Sequence, residues 1–124
     1  MEGELDFDVI EPLIDRSNLE RLILKTGCTI GSGAFPENWP TLSEACARAL
    51  LGLGLKLLGV DAPSVDAKES KSLAVHQMLF SGNAFILENL ELRRTPPGSY
   101  ELIAFPIKLM SLDAAPVRAI LVER

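Results

Sequence analysis

The feature that most restricts how this chain can fold is the stretch 21–60. There two short apolar runs, Arg21-Leu22-Ile23-Leu24-Lys25-Thr26 and Leu55-Lys56-Leu57-Leu58-Gly59-Val60, flank a segment of helical periodicity. Gly27 closes the first run, and Asp61 with Pro63 closes the second. Between them Thr41 or Ser43 can cap a helix over 44–53, with Leu42, Cys46, Ala49, Leu50 and Leu53 on one stripe. Two strands joined by a helix are expected to pair in parallel through a right-handed crossover, and such a sheet needs helical cover.

The pattern continues in the same style. A second helix is expected over 71–81, with Asp66 or Ser70 available to cap it and Gly82-Asn83 suited to a left-handed stop. The next strand, 84–88, places Ile86 and Glu88 on one face and Phe85 and Leu87 on the other. Arg94-Thr95-Pro96-Pro97-Gly98-Ser99 reads as a turn, followed by strands over 100–107 and 117–122. Pro106 and Pro116 cannot donate to a ladder and belong at strand ends or on an edge. The expected fold class is α/β, a mixed sheet with two main helices. At 124 residues one domain over 1–124 is expected, because two cores would leave each half with roughly 60 residues, near the lower limit of self-sufficiency.

Charge narrows the partners. Lys and Arg number 12 against 17 Asp and Glu, for a net −5, and the only adjacent basic pair, Arg93-Arg94, reads as a solvated turn. Nucleic acid is therefore not an expected partner. The most apolar stretch, 47–60, is interrupted by Arg48 and Lys56 and falls short of the ~20 residues that cross a bilayer, so no membrane span is expected. The start, Met1-Glu2-Gly3-Glu4-Leu5-Asp6, has neither the basic residues nor the apolar run of a secretory signal. Cys28 and Cys46 make neither a disulfide framework nor a zinc ribbon. The expectation is a cytoplasmic chain with reduced thiols.

Chemistry concentrates on His76, the single histidine, three residues after Leu73 and four before Phe80 on the apolar face of the second helix. Glu88 is expected to point inward from the following strand. Counted from the turn between them, six helical residues advance about 9 Å and five strand residues about 17 Å, so spacing permits their proximity without compelling it. A neutral imidazole beside a carboxylate can be two ligands for Zn²⁺ or Mn²⁺, an acid/base pair, or a buried structural pair. A catalytic zinc needs three protein ligands, so carboxylates or another chain must complete any such site. Asp61 and Asp66 follow a strand at the carboxyl edge where open α/β sheets place ligand crevices, and they fit either a site or the caps of turn and helix. Gly31-Ser32-Gly33 lacks the Gly-Lys-Ser/Thr ending of a phosphate cradle and reads as a loop. Phe35 and Trp39 either line a substrate pocket or seal their loop against the core.

Several pieces then occur in order: Leu24-Lys25-Thr26-Gly27, Leu42-Ser43-Glu44-Ala45, Gly54 through Asp66, His76, Ile86-Leu87-Glu88-Asn89-Leu90, Tyr100 through Pro106, and Pro116-Val117-Arg118-Ala119. Together they resemble the cyclase family of metal-dependent hydrolases, whose members include bacterial kynurenine formamidase and isatin hydrolase. The resemblance runs from about Val9 to Arg124. It implies a swivelling β/β/α fold, assembly into homo-oligomers, and hydrolysis of a small-molecule amide, of arylformamidase type, with zinc or manganese polarising water and substrate. It also implies two metal ligands, His76 and Glu88, the latter in the Glu-Asn-Leu motif. The family's remaining ligands lie in an N-terminal His-x-Gly-Thr-His-x-Asp-x-Pro-x-His motif that does not occur in this sequence. The resemblance is thus to the C-terminal portion, and the expected metal site is incomplete, with a chain that holds no metal among the expectations. A fragment of a longer enzyme, one half of a split enzyme whose partner chain carries the missing motif, and a non-catalytic remnant that binds itself or a partner all fit.

Overall fold

The computed structural model describes residues 3–30 and 33–124. Gly31 and Ser32 of the glycine-rich loop lie outside the described residues. The described residues form two compact units, those up to Arg93 and Arg94–Arg124.

In the first unit, β1 (Glu4–Leu5) leads to a short helix, α1 (Phe7–Ile10), and then to β2 (Arg21–Leu24), β3 (Thr41–Leu42), α2 (Glu44–Gly52), β4 (Leu57–Val60), α3 (Ala74–Ser81) and β5 (Phe85–Leu87). The expected parallel pairing is present. β4 is central in a three-stranded parallel sheet of order β2-β4-β5, with Leu22 opposite Leu58, Leu24 opposite Val60, and Leu58 opposite Ile86. β1 and β3 form a separate parallel pair. α2 begins where its sequence said it could, because the Ser43 side chain accepts the Cys46 N–H at 3.0 Å. It buries Cys46, Ala47 and Leu50 in a core shared with Leu58, Val60, Val65, Val75 and Leu79. Ala47, rather than the expected Ala49, is the buried alanine.

α3 starts three residues later than the sequence suggests. Leu73 adopts left-handed backbone, φ 50°, which no α-helix continues through. The stop is as expected, with Asn83 left-handed at φ 60°. The second unit is an antiparallel pair, β6 (Tyr100–Pro106) and β7 (Val117–Glu123), with Ile103 opposite Ile120. Pro106 ends β6 and Pro116 immediately precedes β7, so neither is asked to donate a ladder hydrogen bond, and the Pro116 carbonyl accepts the Ile107 N–H at 2.9 Å. The α/β class with mixed strand directions is borne out. The parallel and antiparallel strands occupy separate sheets rather than one, because β6 and β7, joined by residues 107–116, satisfy each other while helices link the parallel strands. No helix among the described residues is long and apolar enough to cross a membrane.

Candidate functional site

After β4 the chain runs through Asp61 to Asp66, and these two buried carboxylates do different work. Asp61 accepts the Thr26 N–H at 2.8 Å and the Thr26 hydroxyl at 2.7 Å on Oδ1, and the Gly27 N–H at 2.9 Å on Oδ2. Its hydrogen-bonding capacity goes into tying the end of β2 to the end of β4. Asp66 accepts the N–H groups of Val75 and His76, both at 3.0 Å, and so satisfies orphan donors at the start of α3 from eight residues before that helix begins. The Asp66 backbone is held as well, its N–H donating to Ser64 Oγ and its carbonyl accepting the Trp39 Nε1–H, each at 3.1 Å.

The turn that Asp66 caps presents His76, whose side chain is only 16% exposed. Its Nδ1 lies 2.8 Å from Asp66 Oδ2 and its Nε2 3.0 Å from Glu88 Oε2. Glu88 Oε2 also accepts the Val65 N–H at 3.1 Å, which fixes the carboxylate over the ring. The imidazole is therefore gripped on both nitrogens. The hydrogen bond to Glu88, with that to Asp66 and the charge of both, outweighs burial and pushes the His76 pKa up to about 9. The ring against Phe80, 6.0 Å between centroids, closes a third side. The structure thus brings together the two residues singled out in the sequence, and adds Asp66, which the sequence left between helix cap and site. It is both. The only sequence sign of the second role is an aspartate that precedes a lone histidine within one loop.

Phe35 and Trp39 also meet, edge to face at 5.6 Å. Phe35 is exposed and Trp39 buried. Trp39 lies on the wall of an open hollow of about 360 Å³ with Gly3, Glu4, Asn38, Thr41 and Ala67. Among the described residues no three His, Cys, Asp or Glu side chains converge on a point that could hold a metal ion, since Asp66 and Glu88 face opposite nitrogens of the ring. Cys28 and Cys46 form no disulfide, and burial pushes the Cys46 thiol up to about 11.

No protein-family model matches the chain. It is 44% identical over 103 residues to the kynurenine formamidase of Bacillus cereus, a match covering 83% of this chain and 49% of the relative. The kynurenine formamidase of Salinibacter ruber is 42% identical over 113 residues, covering 87% and 51%. The chain spans about half the length of the curated relatives it matches. A solved structure described as a "predicted metal-dependent hydrolase" from Bacillus stearothermophilus superposes with TM-score 0.80 at 29% identity, over 95% of this chain and 56% of that one. Another, a potential metal-dependent hydrolase with cyclase activity, gives 0.85 at 29% identity, over 100% and 60%. The resemblance to cyclase-like metal-dependent hydrolases read from the motifs is borne out, and so is the fold it implied.

Proposed function

We propose that this chain supplies the His76 and Glu88 half of the metal centre of an arylformamidase-type amide hydrolase acting on a small N-formyl amide. The observation that carries this reading is the 3.0 Å approach of His76 Nε2 to Glu88 Oε2, with the opposite ring nitrogen held by a carboxylate. An imidazole nitrogen and a carboxylate oxygen converging from two elements are suitable donors for zinc or manganese, and both are short of water. A divalent cation, when bound, supplies Lewis acidity toward water and a carbonyl oxygen. This chain's own part is to present a nitrogen lone pair on His76 once its Nε2 proton is lost, and a fixed carboxylate on Glu88. The remaining ligands come from outside these residues, from the part of the relatives' length that this chain does not match. The cytoplasm, where thiols stay reduced, suits two cysteines that form no disulfide.

The test is zinc and manganese content after chelation and reconstitution, together with hydrolysis of N-formylkynurenine, for the chain alone and mixed with a polypeptide corresponding to the rest of the relatives' length. Weak metal retention and no turnover alone, gain of both on mixing, and loss of the gain in His76→Ala and Glu88→Gln are the expected results. Stoichiometric metal and turnover from the chain alone would refute the incomplete site, and indifference to both substitutions would refute the ligand assignment. A second reading, a non-catalytic module that assembles with itself or a partner, draws on the exposed Phe105, Ile120 and Val122 of the hairpin. Under it His76→Ala leaves assembly unchanged.

A further inference from the structure

We infer that Asp66 is the positioning residue of this site, holding the proton on His76 Nδ1 and thereby reserving Nε2 for a ligand. The inference rests on the metal-centre reading and deepens it. A single oxygen, Asp66 Oδ2, is 3.0 Å from the backbone N of His76 and 2.8 Å from the Nδ1 of the same residue. Backbone and ring of one histidine are thus tied to one atom, which fixes how the ring turns about its own side-chain bonds. A carboxylate facing Nδ1 can only accept, so that nitrogen keeps its proton, and Nε2, the nitrogen directed at Glu88, is the one whose proton a cation displaces.

The carboxylate can act in this way only if it is itself immobile. Its side chain is 7% exposed, its other oxygen takes the Val75 N–H, and its backbone is braced on one side by the Ser64 hydroxyl and on the other by the indole N–H of Trp39. Trp39, expected from sequence as a pocket residue, is in this reading also the brace behind the orienting carboxylate. Asp61, equally buried, offers a built-in comparison, since its bonds run to Thr26 and Gly27. Removing one of its oxygens loosens the fold without altering Asp66's grip on the ring.

The measurement is ¹⁵N and ¹H NMR of the His76 ring in the full chain, first metal-free and then during titration with zinc sulfate, for wild type, Asp66→Asn and Asp61→Asn. The expected wild-type spectrum has an Hδ1 resonance slow to exchange with solvent, and zinc shifts Nε2 alone. Asp66→Asn is expected to lose the slow exchange and to bind zinc 10- to 100-fold more weakly. Asp61→Asn is expected to lower the melting temperature while keeping both ring signatures. A wild-type ring with no protected Hδ1, or an Asp66→Asn chain that binds zinc at Nε2 as wild type does, overturns the inference. Wild-type zinc that never reaches Nε2, with Hδ1 still protected, overturns the metal-centre reading instead. Should Asp66→Asn fail to fold, the wild-type Hδ1 exchange and that of Trp39→Phe, expected to be faster through loss of the brace, decide the matter.

Discussion

At the scale of single residues, His76 sits between two carboxylates, and the metal-free protein carries the signature in its pH dependence. Its pKa rises from 6.5 in the unfolded chain to about 9 in the folded one. The folded state therefore binds this proton more tightly, so the stabilisation is fully present below pH 6.5, declines through the interval up to 9, and is gone above it. A shift of that size corresponds to a loss of about 1.4 kcal/mol per pH unit and a total on the order of 3 kcal/mol. Urea unfolding in the presence of chelator should show the midpoint falling across that interval, and His76→Gln should flatten it. An equal slope in the variant would assign the effect to other groups. Much at this scale was legible in the sequence. A lone histidine on an apolar helical face, with a glutamate at the end of the next strand, permitted the pair without compelling it. The rise arithmetic left a mismatch of several ångströms because it counted backbone advance and omitted the reach of two long side chains. Asp66 was legible as a cap for the helix, whereas its bond to the His76 ring was not, since that contact spans ten residues.

At the scale of elements, the sheet depends on one absent side chain. Gly59 lies in the central strand opposite Ile23, and a Cβ there would sit 2.8 Å from Leu90 Cδ1 and 3.1 Å from Ile23 Cγ1. Gly59→Ala must push both apolar side chains outward, so it is expected to destabilise by about 1–3 kcal/mol in equilibrium unfolding despite the better strand propensity of alanine. No loss of stability would mean that Leu90 repacks freely. Five strands, β2 and β4 to β7, could be read from apolar runs and their bounding Gly, Asp and Pro residues to within about two positions, whereas the two-residue β1 and β3 could not, Thr41 and Leu42 having read as the cap and first stripe residue of α2. The start of α3 could not, because leucine rarely takes left-handed backbone and nothing in the local sequence announces it at Leu73. Nor could the division into separate sheets, since which strand neighbours which is decided by connections rather than composition.

At the scale of the whole molecule, the ribbon of β6 and β7 poses the remaining physical problem. Opposite residues in antiparallel strands share a face, so Ile103 with Ile120 and Phe105 with Arg118 line one side, next to Val122. On that side Phe105, Ile120 and Val122 are exposed, while the other carries Leu102 opposite Leu121 and Ala104 opposite Ala119. A two-stranded ribbon is at best marginally stable in water, and apolar side chains on both faces call for cover. The parallel sheet adds to the demand, since β5 pairs only with β4 among the described residues and displays Phe85. Association of the purified chain is the expected response, with sedimentation velocity showing mass rising with concentration. Phe105→Ser combined with Ile120→Ser should shift the equilibrium toward monomer by tenfold or more while leaving the helical circular dichroism of α2 and α3 unchanged. A chain that sediments as a monomer at all concentrations, with Phe105 open to solvent quenching, would show that the ribbon tolerates its exposure and would remove self-assembly from the reading.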